Sequence, residues 1–211
     1  YVEFNDTKPS LFTITTGVPK WSLLGPLLFL VYMNDIPQAS SLFKYILFAD
    51  DTSLLNYMNL SISLKDINDD TINRELSKIY DWLAVNKLSL NIKKTKFMVF
   101  HYRNKDISSM IPFVKINNIE IERVQDFNFL GLYINENMSW KTHIDFIANK
   151  ISKHAGILNR MKKFLPINIM RTLYFSMVQS RLNYALLVWG FDCGRLEKLQ
   201  KRVIRIITCS K

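Results

Sequence analysis

The sequence predicts an α+β fold, in which an antiparallel sheet with packed helices is followed by an all-helical region. Residues 1–138 mix short β-prone runs with one long amphipathic segment, whereas residues 139–211 contain only helix-period patterns. Charge changes at the same place: residues 139–211 hold fourteen Lys/Arg against three Asp/Glu, and residues 1–138 hold fourteen against fifteen. We therefore expect two domains, 1–138 and 139–211.

Composition excludes several classes of protein. Of the 211 residues, 48% are hydrophobic, which is typical of folded rather than disordered chains. Cys193 and Cys209 are too few for a disulfide framework and lack zinc-ligand spacing, so we expect an intracellular protein of the nucleus or cytoplasm. No targeting signal is visible. Residues 23–33 are apolar but too short to span a bilayer, so we expect a buried core segment and no membrane.

Several segments predict strands. Residues 1–16 alternate like a hairpin, and residues 45–48 and 52–55 predict a second hairpin that is buried on both faces. Residues 113–121 fold back at Asn117-Asn118, a pair that tolerates the positive φ of a tight turn. Single strands are predicted at residues 96–101 and 127–134.

Helices are predicted where apolar residues recur every 3.6 positions. Gly25-Pro26 opens a short helix that ends near residue 34, since proline is favourable in a first helical turn. A stripe from Leu64 to Leu83 predicts a long amphipathic helix. After the expected N-cap Ser139, three helices follow, the second beginning at Pro166 and the third carrying Leu196 and Val203.

Asp50 and Asp51 stand between the two apolar runs of the second hairpin. Carboxylates beside an apolar core are unfavourable unless a cation compensates them, and Mg²⁺ (or Mn²⁺) is the hard ion that oxygen ligands suit. Two such ions would activate a 3′-hydroxyl and stabilise a leaving pyrophosphate. Adjacent aspartates after a strand are also ordinary turn residues, so the pair alone leaves both interpretations open.

Three further motifs accompany the FADD of residues 48–51. Residues 15–29 are TTGVPKWSLLGPLLF, residues 86–96 are NKLSLNIKKTK, and residues 129–131 are FLG. In this order and spacing the four motifs resemble the palm of reverse transcriptases from jockey-type non-LTR (LINE-like) retrotransposons. The resemblance extends through essentially the whole chain. It implies a partial polymerase palm over residues 1–138, then a thumb and the start of a connector over residues 139–211.

The resemblance also implies roles for individual residues. Asp50 and Asp51 would be catalytic and would hold the metal. Lys94 would lie near the triphosphate and protonate pyrophosphate, unless it is one more solvated charge. The residues that would border the deoxynucleoside triphosphate and the RNA template are Gly17, Pro19, Ser22, Phe48 and Ala49. The primer grip, which would hold the DNA primer, is Phe129, Leu130 and Gly131, unless these residues only end a core strand.

The basic excess of the last region suggests a surface that contacts the phosphate backbone, although a solvated helix face would look the same. The residues expected at the nucleic-acid backbone are Lys150, Lys153, Arg160, Lys162 and Lys163. The same argument from positive charge applies to Lys198, Lys201, Arg202 and Arg205.

Two departures from the family pattern bear on activity. The third family carboxylate lies upstream of the Gly-Val-Pro motif, so we expect this chain to be a piece of a longer enzyme, inactive alone without that aspartate and the fingers. Lys20-Trp21 stands where the family has Gln-Gly, which indicates either a lesion in a decayed element or a local repacking around the ring.

Three functions follow from these patterns. The first is RNA-directed DNA polymerase, in which two metal ions promote nucleotidyl transfer onto a primer 3′-hydroxyl. The second is a non-catalytic, basic nucleic-acid-binding remnant of a decayed element. A metal-dependent nuclease is weaker, because no Glu-x-Lys or His-rich cluster accompanies Asp50-Asp51.

Overall fold

A computed structural model describes residues 22–57, 69–105, 107, 111–191 and 193–208. The predicted hairpin of residues 1–16, Gly17, Pro19 and the Lys20-Trp21 departure lie outside these ranges. The chain forms two compact units: the first is Tyr1–Thr95 with Pro112–Ile121, and the second is Lys96–Ile111 with Glu122–Lys211.

The described elements mix helices with small sheets, which agrees with the predicted α+β class. In chain order they are α1 (Leu24–Tyr32), a 3-10 turn (Ile36–Gln38), β1 (Lys44–Phe48), β2 (Asp51–Leu55), α2 (Asp69–Val85), β3 (Lys96–Phe97), β4 (Lys115–Ile116), β5 (Ile119–Glu120), β6 (Glu122–Arg123), β7 (Asp126–Phe129), β8 (Leu132–Asn135), α3 (Lys141–Met161), α4 (Ile167–Tyr174), a π-helical turn (Phe175–Gln179), α5 (Ser180–Asn183), α6 (Leu186–Trp189) and α7 (Gly194–Thr208).

In the first unit, α2 packs against the β4–β5 hairpin. Ile72, Leu76 and Ile79 are buried on one face of α2, as the predicted stripe requires. Asn73 Nδ2 donates to the Phe113 carbonyl at 2.9 Å, and its Oδ1 accepts from the Lys115 amide at 2.8 Å. The predicted turn at Asn117-Asn118 is confirmed, with φ of 49° and 61°.

The β1–β2 hairpin is confirmed in position but not in burial. Lys44 pairs with Leu55 and Phe48 with Asp51 in an antiparallel register. Alternate residues of β1, ending with Phe48, are exposed, so the prediction of a hairpin buried on both faces was wrong. The reason is that β1 and β2 form a sheet of two strands only, in which alternate residues of β1 stay exposed.

The apolar segment at α1 is also less buried than expected. The helix begins and ends close to the predicted limits, but none of its residues is buried. Burial begins just after it, at Met33 and Ile36. The segment is apolar on every side, so its sequence could not indicate which face packs.

The second unit contains the β7–β8 hairpin where a single strand was expected over residues 127–134. Leu130 and Gly131 both have positive φ, 49° and 84°, and these two residues form the turn. The strand predicted over residues 96–101 is shorter than expected, because β3 pairs in parallel with β6 over two residues only.

The core of the second unit lies among its helices, with α3 packed against α7 and β8. The fully buried members include Ile151, Leu158, Val178, Trp189, Leu196 and Val203. Leu196 and Val203 are the positions predicted for the third helix, and Ile151, Leu158 and Val178 lie on the apolar faces of the two predicted helices before it, whereas nothing in the sequence indicated Trp189. Ser139, however, is not an N-cap: α3 begins at Lys141, and the Ser139 hydroxyl donates to Asn135 Oδ1 at 3.2 Å. None of the helices in the described ranges is long and apolar enough to cross a membrane.

Candidate functional site

The acidic pair lies at the tip of the β1–β2 hairpin. Phe48 and Asp51 form the last pair of the ladder, so Ala49 and Asp50 are the two turn residues. Ala49 has φ of +50°. The left-handed conformation brings an L-residue's Cβ close to the following carbonyl oxygen, which is unfavourable by about 1–2 kcal/mol. Unlike asparagine, alanine has no polar side chain to offset this strain.

The strained residue closes a tight turn, and this turn presents two consecutive carboxylates. Both Asp50 and Asp51 are exposed. Among the described residues, neither carboxylate has a hydrogen bond or an ion pair. Their oxygen atoms are therefore available as ligands for a hard divalent cation, and no lysine or arginine in the described ranges pairs with them.

The fit to a metal ion is partial. The described part of the chain contains no group of three or more His, Cys, Asp or Glu side chains that could hold an ion. Asp50 and Asp51 supply two ligands, and Mg²⁺ commonly completes its octahedral shell with water and substrate phosphates. The donor set suits Mg²⁺ or Mn²⁺ but does not enclose it.

Lys94 follows a turn organised by Asn91. The Asn91 carbonyl accepts from the Lys94 amide and from the Thr95 amide, both at 3.0 Å, and Asn91 Oδ1 also accepts from the Lys94 amide at 3.3 Å. This turn leaves the Lys94 side chain exposed. Within the described ranges no ion pair joins its ammonium to Asp50 or Asp51, whereas Lys96 nearby in sequence pairs with Glu122.

The predicted primer-grip residues close the β7–β8 hairpin. The carbonyl of Leu130 accepts a hydrogen bond of 2.5 Å from the Tyr184 hydroxyl. A Cβ on Gly131 would lie 3.5 Å from Tyr184 Cε1, an ordinary contact, so it is the φ of +84° that makes glycine suitable there.

Comparison with known proteins identifies the family. Residues 1–134 match the family described as "Reverse transcriptase (RNA-dependent DNA polymerase)", which is more than half of the chain. The chain belongs to the reverse transcriptase family.

Curated relatives of this reverse transcriptase chain come from transposable elements. It is 25% identical to the Drosophila melanogaster protein named "Probable RNA-directed DNA polymerase from transposon X-element", over 98% of the chain and 23% of the relative. It is 22% identical to the "RNA-directed DNA polymerase from mobile element jockey" of Drosophila funebris, over 95% of the chain and 23% of the relative. The D. melanogaster protein of the same name is also 22% identical, over 99% and 23%. The resemblance to jockey-type reverse transcriptases is thus confirmed.

The reverse transcriptase chain spans about a quarter of the length of these relatives, 23% in each case. No solved structure matches the chain significantly. Reverse transcriptases are RNA-dependent DNA polymerases, hence nucleotidyltransferases, and generally use divalent metal ions.

The structure distributes the predicted site residues over its two units. Phe48, Ala49, Asp50 and Asp51 share the β1–β2 hairpin in the first unit, which also contains Lys94. Ser22, in the same unit, accepts from the Leu24 amide at 3.3 Å at the start of α1. Residues 129–131 belong to the second unit. Gly17 and Pro19 lie outside the described residues.

The basic residues expected at a nucleic-acid backbone are arranged differently on α3 and α7. On α3, Lys150 is half-buried with its ammonium 5.4 Å from the centre of the Phe146 ring, while Lys153 and Arg160 are exposed. Lys162 and Lys163 follow the helix end and are exposed.

On α7 the basic residues form a continuous stripe. We call this set the α7 stripe: Lys198, Lys201, Arg202 and Arg205. The last three residues follow Lys198 by three, four and seven positions. All four side chains are exposed, and Leu196 and Val203 are buried on the opposite face. In the part of the chain that the structure describes, none of the four forms an ion pair, whereas Arg195 pairs with Asp145.

The sequence did not indicate three residues that support the β7–β8 hairpin, namely Tyr184, His143 and Trp189. Tyr184 contacts the turn through the Leu130 carbonyl, and His143, which accepts from the Tyr133 amide, is buried together with Trp189. A tyrosine at a break between two short helices carries no periodic pattern, and a single histidine on an apolar helix face resembles an ordinary core residue.

Proposed function

We propose that this chain is part of a retrotransposon RNA-directed DNA polymerase, with residues 1–138 in the palm and residues 139–211 forming the thumb and the start of a connector. The observation that carries the proposal is the pair Asp50-Asp51 at a strained two-residue turn, within a chain that belongs to the reverse transcriptase family. The relatives are named as RNA-directed DNA polymerases.

Asp50, Asp51 and Lys94 would each have a separate role in nucleotidyl transfer. Asp50 and Asp51 would hold Mg²⁺ (or Mn²⁺), which when bound activates a primer 3′-hydroxyl and offsets the charge on the triphosphate. The tight turn keeps both carboxylates at the surface, where a substrate can reach them. Lys94 would contact the triphosphate and donate a proton to the departing pyrophosphate, which its exposed ammonium can approach.

Substrate positioning would involve the other predicted residues. Gly17, Pro19 and Ser22, with Phe48 and Ala49, would border the nucleotide and the RNA template. Phe129, Leu130 and Gly131 would hold the DNA primer. Leu130 and Gly131 form the β7–β8 turn, and the exposure of Gly131 supports the approach of a primer to this turn.

The test is primer extension on an RNA template. The 211 residues are joined to the upstream reverse transcriptase segment of a jockey polymerase, and the 211-residue chain is assayed beside it. Asp50→Ala should reduce extension by more than about a hundredfold, because it removes stabilisation worth several kcal/mol. The matched control is Asp81→Ala, an exposed aspartate on α2. Equal extension by the Asp50→Ala and control proteins would refute the catalytic assignment.

The α7 stripe favours a second candidate, a basic nucleic-acid-binding module that performs no catalysis. Four exposed positive side chains on one helix face suit a phosphate backbone, and such binding weakens steeply with salt. Primer extension by the joined protein distinguishes the two candidates, because the α7 stripe would bind nucleic acid in either case. A non-catalytic module would retain salt-sensitive affinity without a divalent ion, and the joined protein would extend no primer under any condition.

A further inference from the structure

The β7–β8 hairpin is held at two points, by Tyr184 and by His143. At the turn, the Tyr184 hydroxyl donates to the Leu130 carbonyl at 2.5 Å. On β8, the Tyr133 amide donates to His143 Nδ1 at 3.3 Å. The hairpin is therefore fixed both at its tip and along its second strand.

Trp189 connects these two points. Its indole Nε1 donates to the Tyr184 carbonyl at 2.8 Å. Its ring meets the His143 ring edge to face, with centroids 5.2 Å apart. Trp189 and His143 are almost completely buried, at 0% and 1% exposure. We call this closed set of contacts the turn clamp: Tyr184, Trp189 and His143 around the Leu130–Gly131 turn.

The break between α5 and α6 makes the clamp possible. Tyr184 is extended, with ψ of 115°, and Ala185 is left-handed, with φ of 51°. The helix is interrupted at this point, so the Tyr184 carbonyl is available to the Trp189 indole. The same interruption places the Tyr184 ring beside Gly131, where a residue without Cβ gives the backbone its positive φ.

We propose that Tyr184 is a positioning residue for the primer grip, whose hydroxyl holds the Leu130–Gly131 turn in the shape that receives the 3′ end of a DNA primer. The inference rests on the proposed function, which assigns the primer to this turn. A two-residue turn made by leucine at positive φ is strained, so an external hydrogen bond to its carbonyl stabilises that conformation. Tyr184 is also half-exposed, which places the bond at the surface where a primer would lie.

The test is Tyr184→Phe in the 211-residue chain, which retains the ring over Gly131 and removes only the hydroxyl. The matched control is Tyr102→Phe in the same unit, because Tyr102 is exposed and its hydroxyl has no partner among the described residues. Fluorescence anisotropy compares a primer–template duplex with a recessed 3′ end against a blunt duplex of equal length. Amide hydrogen exchange of the peptide that spans β7 and β8 reports on the turn itself.

The wild-type chain should bind the recessed end more tightly than the blunt duplex. Tyr184→Phe should reduce that preference by about threefold to tenfold, the effect of one lost hydrogen bond. It should speed exchange at the turn and leave blunt-duplex affinity and melting temperature unchanged. Tyr102→Phe should match the wild type in every measurement.

Different failures have different meanings. A wild-type chain without preference for the recessed end would refute the assignment of the primer to the turn, and this inference with it. A wild-type preference that Tyr184→Phe leaves intact would refute the positioning role alone. Loss of preference with unchanged exchange at the turn would also refute it, since Tyr184 would then contact the primer directly. If Tyr184→Phe lowers the melting temperature, Gly131→Ala strains the turn independently, and an unchanged preference in that variant refutes the role.

Discussion

The backbone of Ala49 determines where two carboxylates lie. Its φ of +50° closes the β1–β2 hairpin in two residues, so that Asp50 occupies the turn and Asp51 begins β2. Neither aspartate is needed for packing, because both are exposed. The strain at Ala49 and the placement of the acidic pair are thus one structural feature.

Ala49→Gly should stabilise the first unit. Removing the left-handed strain gains about 1–2 kcal/mol, and the added freedom of glycine in the unfolded chain offsets about 0.4–1 kcal/mol of this. The net expectation is an increase of roughly 0.5–1 kcal/mol in the free energy of unfolding, measured by urea denaturation. The control is Ala84→Gly in the last turn of α2, where glycine should instead destabilise by up to about 1 kcal/mol. A decrease at both positions would show that Ala49 is not strained.

His143 makes the second unit sensitive to pH. Burial lowers the pKa of its imidazole below the ordinary value of 6.5. The pKa of His154 is lowered in the same direction, first by burial and also by the charges of Arg181 and Lys150. Below pH 6.5 the unfolded chain binds protons that the native state excludes. Stability is therefore complete above about pH 6.5 and declines as the pH falls through the folded pKa of each histidine.

We expect the melting temperature of the chain to fall between pH 7 and pH 5, a window in which histidines titrate and most carboxylates remain ionised. His143→Gln should make this fall smaller, whatever its effect on stability at pH 7. His154→Gln provides the comparison, because its smaller burial predicts a smaller change in slope. Identical pH slopes in the wild-type and His143→Gln proteins would contradict the assignment.

At the scale of elements, the long helices were predictable and the short turns were not. The stripes of α2, α3 and α7 each repeat an apolar residue over three or more turns, and most of their buried residues belong to these stripes, with His143 of α3 an exception. In the β7–β8 turn, Gly131 is the one residue whose type indicates a positive φ, since leucine at positive φ has no sequence signature. A hairpin was therefore interpreted as one strand.

Helix ends and exposed faces were harder to predict for a related reason. Serine is a favoured N-cap residue, but the Ser139 hydroxyl bonds to Asn135 Oδ1 instead of a helix amide. Which of these two local hydrogen bonds forms depends on backbone geometry, which the residue type does not indicate. For α1 the sequence is apolar throughout. Periodicity then carries no information about which face is covered.

At the scale of the whole chain, the order of motifs was more informative than any single motif. Asp50-Asp51 alone allowed an ordinary turn, yet four motifs in sequence indicated the family that comparison confirmed. The supporting residues could not be inferred this way, because Tyr184, Trp189 and His143 act through contacts between distant parts of the chain. The roles of Lys94 and of the nucleotide-bordering residues remain predictions.

The positive charge of the chain is concentrated in its helical C-terminal part. The formal net charge is +10, and residues 139–211 hold fourteen basic residues against three acidic ones. A net charge alone predicts only non-specific attraction to nucleic acid. The α7 stripe is more specific, because its four exposed side chains lie on one helix face with hydrophobic residues buried behind it.

Neutralising one residue of the α7 stripe should therefore change the salt dependence of binding as well as the affinity. Each phosphate contact contributes about 0.9 to the slope of log K against log salt concentration for duplex DNA. Arg202→Gln should reduce the slope by about that amount, measured by anisotropy over a range of salt concentrations. Arg103→Gln is the matched control, since it removes the same charge from an exposed residue of the same unit outside the stripe. If both variants weakened binding equally and kept the wild-type slope, attraction would come from net charge, and the stripe would be only a solvated helix face.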